Sequence, residues 1–163
     1  APSAHQRLLH EIDSLGSSCD LVVVDAGTGN SRLMRRLWES ADSVLLVTTA
    51  DEVAVMDAYA AIKVITTGGI QAPILTVVNQ SIDTGMAADA HRRLAVASQR
   101  FLGIEVDLAA VIPFDAHFGG ESVFDFQDEL SMESVAAVNE LAHAMAGMTI
   151  RQPTPAKQLL TAQ

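Results

Sequence analysis

The sequence predicts an α/β fold, a mainly parallel sheet flanked by helices. Three observations predict it. Short unbroken runs of Val, Leu and Ile alternate along the chain with longer stretches of helical periodicity. The composition is 49% apolar but only 4% aromatic, a balance that suits helices packed on buried strands and excludes disorder for most of the length. With 163 residues the chain is long enough for one domain with its own core.

Each element has a local cause. Over 4–15, Leu8, Leu9, Ile12 and Leu15 recur at helical spacing, and Gly16-Ser17-Ser18 stops that helix. Leu21-Val22-Val23-Val24, ending in Asp25, reads as a strand buried on both faces. A turn rich in glycine follows, Gly27-Thr28-Gly29-Asn30-Ser31, and Ser31 caps a helix over 32–40. Val44 to Val47 is a second buried strand. A helix from about Asp51 to Ile65 ends at Gly68-Gly69. Pro73 opens a third strand, Ile74 to Val78. Thr84 to Phe101 is helical, with Arg92 and Arg93 outward. A fourth strand follows Val106 and closes at Pro113, and Ser131 with Ser134 begins a last helix to about Met145. Strands alternating with helices require right-handed crossovers. Residues 148–163, with Pro153 and Pro155, read as a flexible tail.

Charge and cysteine content narrow the function classes. The formal net charge is -10, and the imbalance is local. From Phe101 to Ile150 there is no Lys or Arg, while Glu105, Asp107, Asp115, Glu121, Asp125, Asp128, Glu129, Glu133 and Glu140 all fall there. Such a face repels phosphate backbones and anionic lipid, so no direct nucleic-acid or membrane binding is expected from this segment. Cys19 is the only cysteine, which fits a reducing cytoplasm. No apolar run reaches the roughly 18 residues that span a membrane. His5, His10, His91, His117 and His143 lack metal-binding spacing, and no Gly-x-Ser-x-Gly elbow supports a serine nucleophile.

In open parallel sheets, ligands bind beyond the C-terminal ends of the strands. Four features are placed there: Asp25 with its glycines, Thr48-Thr49, Asn79, and Pro113-Phe114-Asp115. Asp25 suits the water shell of Mg²⁺, and the glycines let backbone N–H groups approach a phosphate; equally, an aspartate at this place caps the turn that follows. Asn79 carries both a donor and an acceptor for a base edge, or closes a local turn. Pro113-Phe114-Asp115 lines a base pocket or forms an ordinary loop.

Taken in order, these segments resemble the MinD/ParA/FlhG ATPases. Asp20-Leu21-Val22-Val23-Val24-Asp25-Ala26-Gly27-Thr28-Gly29 is similar to that family's D-x-x-x-x-D-T-G-A-G segment. Ala41 to Thr49 looks like its next strand, and Asp57-Ala58-Tyr59-Ala60-Ala61-Ile62-Lys63 resembles the D-A-Y-A-x-I-K helix of the flagellar FlhG branch. Val77-Val78-Asn79 and Ile112-Pro113-Phe114-Asp115 match V-V-N and I-P-x-D. The resemblance covers about residues 5 to 147. It implies a P-loop NTPase fold, of which residues 1–147 are the distal part, and a cytoplasmic protein that is a homodimer when ATP-bound, with a protein partner that stimulates hydrolysis. It also implies ATP and Mg²⁺ as ligands. Asp25 would hold the metal through water, and Gly29 would belong to the switch that senses the γ-phosphate. Asn79 would hydrogen-bond adenine, with Pro113, Phe114 and Asp115 bordering the base.

The departures are equally specific. The family's glycine-lysine phosphate loop occurs nowhere in the chain, which does not begin with Met, and is expected upstream of Ala1. By itself this polypeptide is therefore expected not to hydrolyse ATP. In the family the strand carrying that loop lies beside the Asp25 strand, so an exposed hydrophobic strand edge is expected here. Ala26 replaces the usual Thr or Ser, Ala50-Asp51-Glu52 stands where Pro-Glu-Pro is usual, and no basic amphipathic C-terminal helix is visible. A second class, a non-hydrolysing pseudo-ATPase adaptor that localises a protein complex, accommodates these departures. A third, a receiver-like domain, lacks the lysine that such folds carry on a late strand.

Overall fold

A computed structural model of the chain describes residues 4–16, 18–29, 31–116 and 130–148. Five helices and three strands follow one another among them: α1 (Ala4–Leu15), α2 (Arg32–Ser40), β1 (Val44–Thr48), α3 (Glu52–Thr67), β2 (Ile74–Ser81), α4 (Thr84–Leu102), β3 (Asp107–Pro113) and α5 (Met132–Met148). The strands form one sheet in the order β1-β2-β3, and both pairings are parallel. The α/β architecture is therefore the one expected. Beyond Met148, the tail expected over 148–163 lies outside the described residues.

The helix boundaries follow side-chain chemistry. Ser31 Oγ accepts from the Met34 N–H at 3.2 Å and starts α2. Asp51 Oδ1 accepts from the N–H groups of Val53 and Ala54 and starts α3, and Asp83 does the same for α4 through Gly85 and Met86. Each cap satisfies amides that have no partner within the helix.

Parallel strands that step one way across a sheet put both crossover helices on one face. Side chains alternate along β2, so Ile74 and Thr76 face one side and Leu75 and Val77 the other. On the first side, Ile74 and Val44 join Met34 and Trp38 of α2, Val55, Ala58, Ile62 and Ile65 of α3, and Ala90 and Leu94 of α4 in the main core. On the second, Val77 joins Ala110 and Ile112 of β3 and Ala137 of α5. Because α5 packs on β3, the β1 end of this second face is less covered, and Val47 is 57% exposed. One interior hydroxyl, Ser98 Oγ on α4, has no partner among the described residues.

The structure corrects one expected element. Leu21-Val22-Val23-Val24 is not a buried strand. The segment has no assigned strand pairing, and Leu21, Val23 and Val24 are exposed, Val23 by 69%. A strand exists through its ladder, and an apolar run without a hydrogen-bonded neighbour stays single however strong its propensity. β1 stands at one edge of the sheet, paired only with β2.

One polar cluster is built on Thr76, which is fully buried, with His91 half-buried and Asp107 exposed beside it. Thr76 Oγ1 donates to the Asp107 carbonyl at 3.0 Å, so its contact with His91 Nδ1 at 2.9 Å requires the hydrogen on that nitrogen. Nδ1 therefore carries a hydrogen, and the proton that the ring gains or loses on titration is the one at Nε2. Burial lowers the proton affinity of His91 below the ordinary 6.5, and the Asp107 carboxylate offsets part of that shift.

Two outcomes follow from this architecture. The outer edge of β1 is unpaired among the described residues and the apolar run Leu21 to Val24 is exposed, and both features template association. Sedimentation of the 163-residue chain should show concentration-dependent dimers or larger species; a monodisperse monomer with one cooperative thermal transition would count against an open edge. For His91, the unfolded chain binds the proton more readily than the folded one. The stability contributed by the neutral ring is complete above about pH 6.5 and is lost as pH falls through the lowered folded value. His91→Asn, whose amide nitrogen can replace Nδ1–H, should flatten this part of the slope in Tm between about pH 7.5 and 5.5. Identical slopes for the two proteins would show that His91 does not contribute.

Candidate functional site

The C-terminal ends of β2 and β3 bring four of the predicted residues together. Ser81 pairs with Pro113 in the ladder, and the Ser81 carbonyl accepts the Phe114 N–H at 2.8 Å. Asn79 lies two residues before Ser81, half-buried at the end of a strand whose five preceding residues are all buried. Asn79 and Pro113-Phe114-Asp115 therefore border one corner of the sheet. Phe114 presents an exposed ring, a flat apolar surface of the kind a planar base can lie against.

The polar atoms at this corner are already engaged. Asn79 Oδ1 accepts from the Gln80 N–H at 2.9 Å. Its Nδ2 hydrogens and a second lone pair on Oδ1 remain for a ligand. Asp115 Oδ2 accepts from the Ser131 N–H at 2.9 Å and from Ser134 Oγ at 2.8 Å. Ser134 is fully buried, and Ser131 Oγ in turn meets Ser134 Oγ and the Ser134 N–H. The Asp115 carboxylate thus anchors the first turn of α5 to the end of β3. At this position, a base would be bordered by backbone rather than by a free carboxylate.

Asp25 and Gly29 sit on a separate piece of chain. Asp25 Oδ1 accepts from the Gly27 N–H at 2.8 Å, which is the turn-capping arrangement. The side chain is exposed, and Oδ2 has no protein partner among the described residues. Gly27 and Gly29 both have left-handed backbones, with φ of 70° and 106°. A Cβ at either would meet no atom within 4 Å, so it is the backbone conformation and not crowding that calls for glycine. Ala26 anchors this turn by packing against the main core, and α2 continues from it. Asp25 Oδ2 is the atom of this turn that could hold Mg²⁺ through water, with the metal's other ligands coming from phosphate and water. Among the described residues no three His, Cys, Asp or Glu side chains converge as a metal cage.

Thr48, at the end of β1, is buried, and its hydroxyl makes a long 3.3 Å contact with the Thr49 carbonyl. Sequence reasoning missed two participants, Gln80 and Ser134. Ser134 had a signal, since Ser131-x-x-Ser134 marks a helix start, but its partner 19 residues upstream did not. Asp115→Ala would remove an α5 cap and orphan a buried hydroxyl. A loss of about 2 kcal/mol in urea unfolding is expected; a change below about 0.5 kcal/mol, the range of ordinary surface substitutions, would refute the anchoring role.

Comparison with known proteins gives one relative of note. No family model matches the chain. Over 115 residues the chain is 24% identical to the antiactivator FleN of Pseudomonas aeruginosa. The match covers 71% of this chain and 41% of that protein, so the chain spans about two-fifths of that relative's length. Among the described residues no helix is long and apolar enough to cross a membrane.

Proposed function

We propose that these residues are the distal part of an ATP-dependent switch of the MinD/ParA/FlhG type, acting in the positioning or number control of flagella, division sites or chromosomes. The observation that carries this reading is the corner formed by Asn79 and Pro113-Phe114-Asp115 at the ends of adjacent parallel strands. It is where an α/β sheet takes a ligand, and it holds two segments singled out as base-contacting. The similarity to FleN supports the family, and the Asp57 to Lys63 helix favours its flagellar branch.

In this reading each residue has a task. Asn79 hydrogen-bonds adenine, and Pro113, Phe114 and Asp115 border the base. Asp25 holds Mg²⁺ through water; the metal, when bound, neutralises phosphate charge. Gly29 belongs to the loop that the third phosphate orders and hydrolysis releases, and α2 carries that change into the core. The β- and γ-phosphates require the glycine-lysine loop, so hydrolysis belongs to a polypeptide that includes it. The ATP-bound form is a homodimer, and a protein partner stimulates hydrolysis. The stretch free of Lys and Arg argues against direct nucleic-acid or membrane binding. The second reading, a non-hydrolysing adaptor, is favoured by Ala26, which stands where the family usually has Thr or Ser.

Binding of a fluorescent ATP analogue with Mg²⁺ separates the two. It should be measured on this chain and on a form extended upstream by about 100 residues of natural sequence, a typical domain's worth. The expected result is binding by the extended form only, weakened roughly 10- to 100-fold by Asp25→Ala, as for other groups that hold a metal through water. If neither form binds, the adaptor reading replaces the switch.

A further inference from the structure

Helix α2 carries more positive charge than its place in the fold explains. The chain has ten Lys and Arg in all and a net charge of -10, yet Arg32, Arg35 and Arg36 fall within the nine residues of this one helix. Met34 and Trp38 bury its inner side in the main core. The helical repeat puts Arg32 and Arg36 on the opposite side, with Arg35 and Glu39 on the same outward face. All four of these residues are exposed.

Local energetics oppose this arrangement. Arg32 is the first residue of α2, where the helix dipole is positive, and no acidic residue stands in the first turn to balance it. Helices α3 and α5, by contrast, carry Glu52 and Glu133 in that place. Arg32 also neighbours Arg35 and Arg36 at the i,i+3 and i,i+4 spacings, at which like charges repel. Glu39 offsets only part of this. It approaches Arg36 at 3.6 Å with both side chains well exposed, so water screens the pair. Charges in conflict with their own helix and with one another mark a face that serves something besides folding. An anionic partner would relieve every one of these conflicts.

We propose that the outward face of α2 is a docking surface for an acidic peptide segment of a partner protein, held by Arg32, Arg35 and Arg36. Guanidinium groups meet carboxylates through two parallel hydrogen bonds, which gives orientation as well as attraction. A nine-residue helix is about 13 Å long, the span of roughly four residues of extended peptide. The net charge of -10 opposes the approach of an extended polyanion, whether nucleic acid or anionic membrane. A short acidic segment needs only the local field of the three arginines. The surface does not depend on the nucleotide reading above, although it lies on the helix that continues from the Gly27-Gly29 turn.

The test is fluorescence anisotropy of a fluorescein-labelled hexaglutamate peptide, titrated with the 163-residue chain at concentrations where sedimentation shows a single species. Saturable binding is expected, weakening as salt rises from about 50 to 200 mM. The double variant Arg32→Gln/Arg36→Gln should lose about tenfold in affinity and keep or raise the Tm, because it removes repulsion. Arg92→Gln/Arg100→Gln, which changes the net charge equally on the exposed side of α4, should bind as the wild type does. Equal losses in the two double variants would reduce the effect to net charge and overturn the proposal. A lowered Tm in Arg32→Gln/Arg36→Gln would make the arginines structural and overturn it as well. So would wild-type protein that does not bind the peptide. Tighter binding of a single-stranded DNA hexanucleotide, or of vesicles containing anionic phospholipid, would overturn the choice of an acidic peptide and reassign the face.

Discussion

A strand buried on both faces must satisfy every polar group it carries, and in this chain that demand falls on β2. Its backbone pairs with β1 on one side and β3 on the other. The two side-chain hydroxyls that enter the interior with it are each answered. Thr76 is held by the Asp107 carbonyl and His91, and Ser81 Oγ donates to the Asp83 carbonyl at 2.8 Å. The first contact joins β2, β3 and α4 near the start of β3; the second joins the end of β2 to the cap of α4. Register and helix placement are thereby tied to one strand. The corner with Asn79 lies where that strand runs out of partners, which is also where ordered backbone groups become available to a ligand.

Much of the layout was legible because its causes are local. The short, largely apolar runs Val44 to Val47 and Ile74 to Val78 each became a strand of the sheet, and Ser31, Gly68 and Pro113 mark boundaries within a residue or two of those observed. Asp115 was picked out by its place after a strand, but its commitment to Ser131 and Ser134 depends on the return of the chain 16 and 19 residues later. The two compensating bulges were not readable either, since no residue type near Ala109 or Gln80 demands them; they come from fitting two neighbours to one strand. The run Leu21 to Val24 was misread for the opposite reason. Its propensity is plain, but propensity does not supply a neighbour.

The predicted site is thus divided between two kinds of support. The corner at Asn79 and Pro113 is built on the sheet itself, with its geometry set by ladder hydrogen bonds. The turn from Asp25 to Gly29 depends on a carboxylate–amide contact, two left-handed glycines and the packing of Ala26. A base-binding surface gains from rigidity because its ligand groups are fixed in shape. A loop that must report the presence of one phosphate gains from being held by few contacts, since a small change in interaction energy is then enough to reorder it.

Trp38 gives this division a spectroscopic consequence. It is the chain's single tryptophan, it is almost fully buried in the main core, and it lies on α2, the helix that continues from the Gly27-Gly29 turn. Indole emission depends strongly on the polarity around the ring, so the intrinsic fluorescence of the protein comes from one known depth at one known place. A red shift would mean that α2 has loosened from β1 and α3, whatever happens at the Asn79 corner. The molecule carries its own optical label on the one helix through which the glycine turn is joined to the sheet.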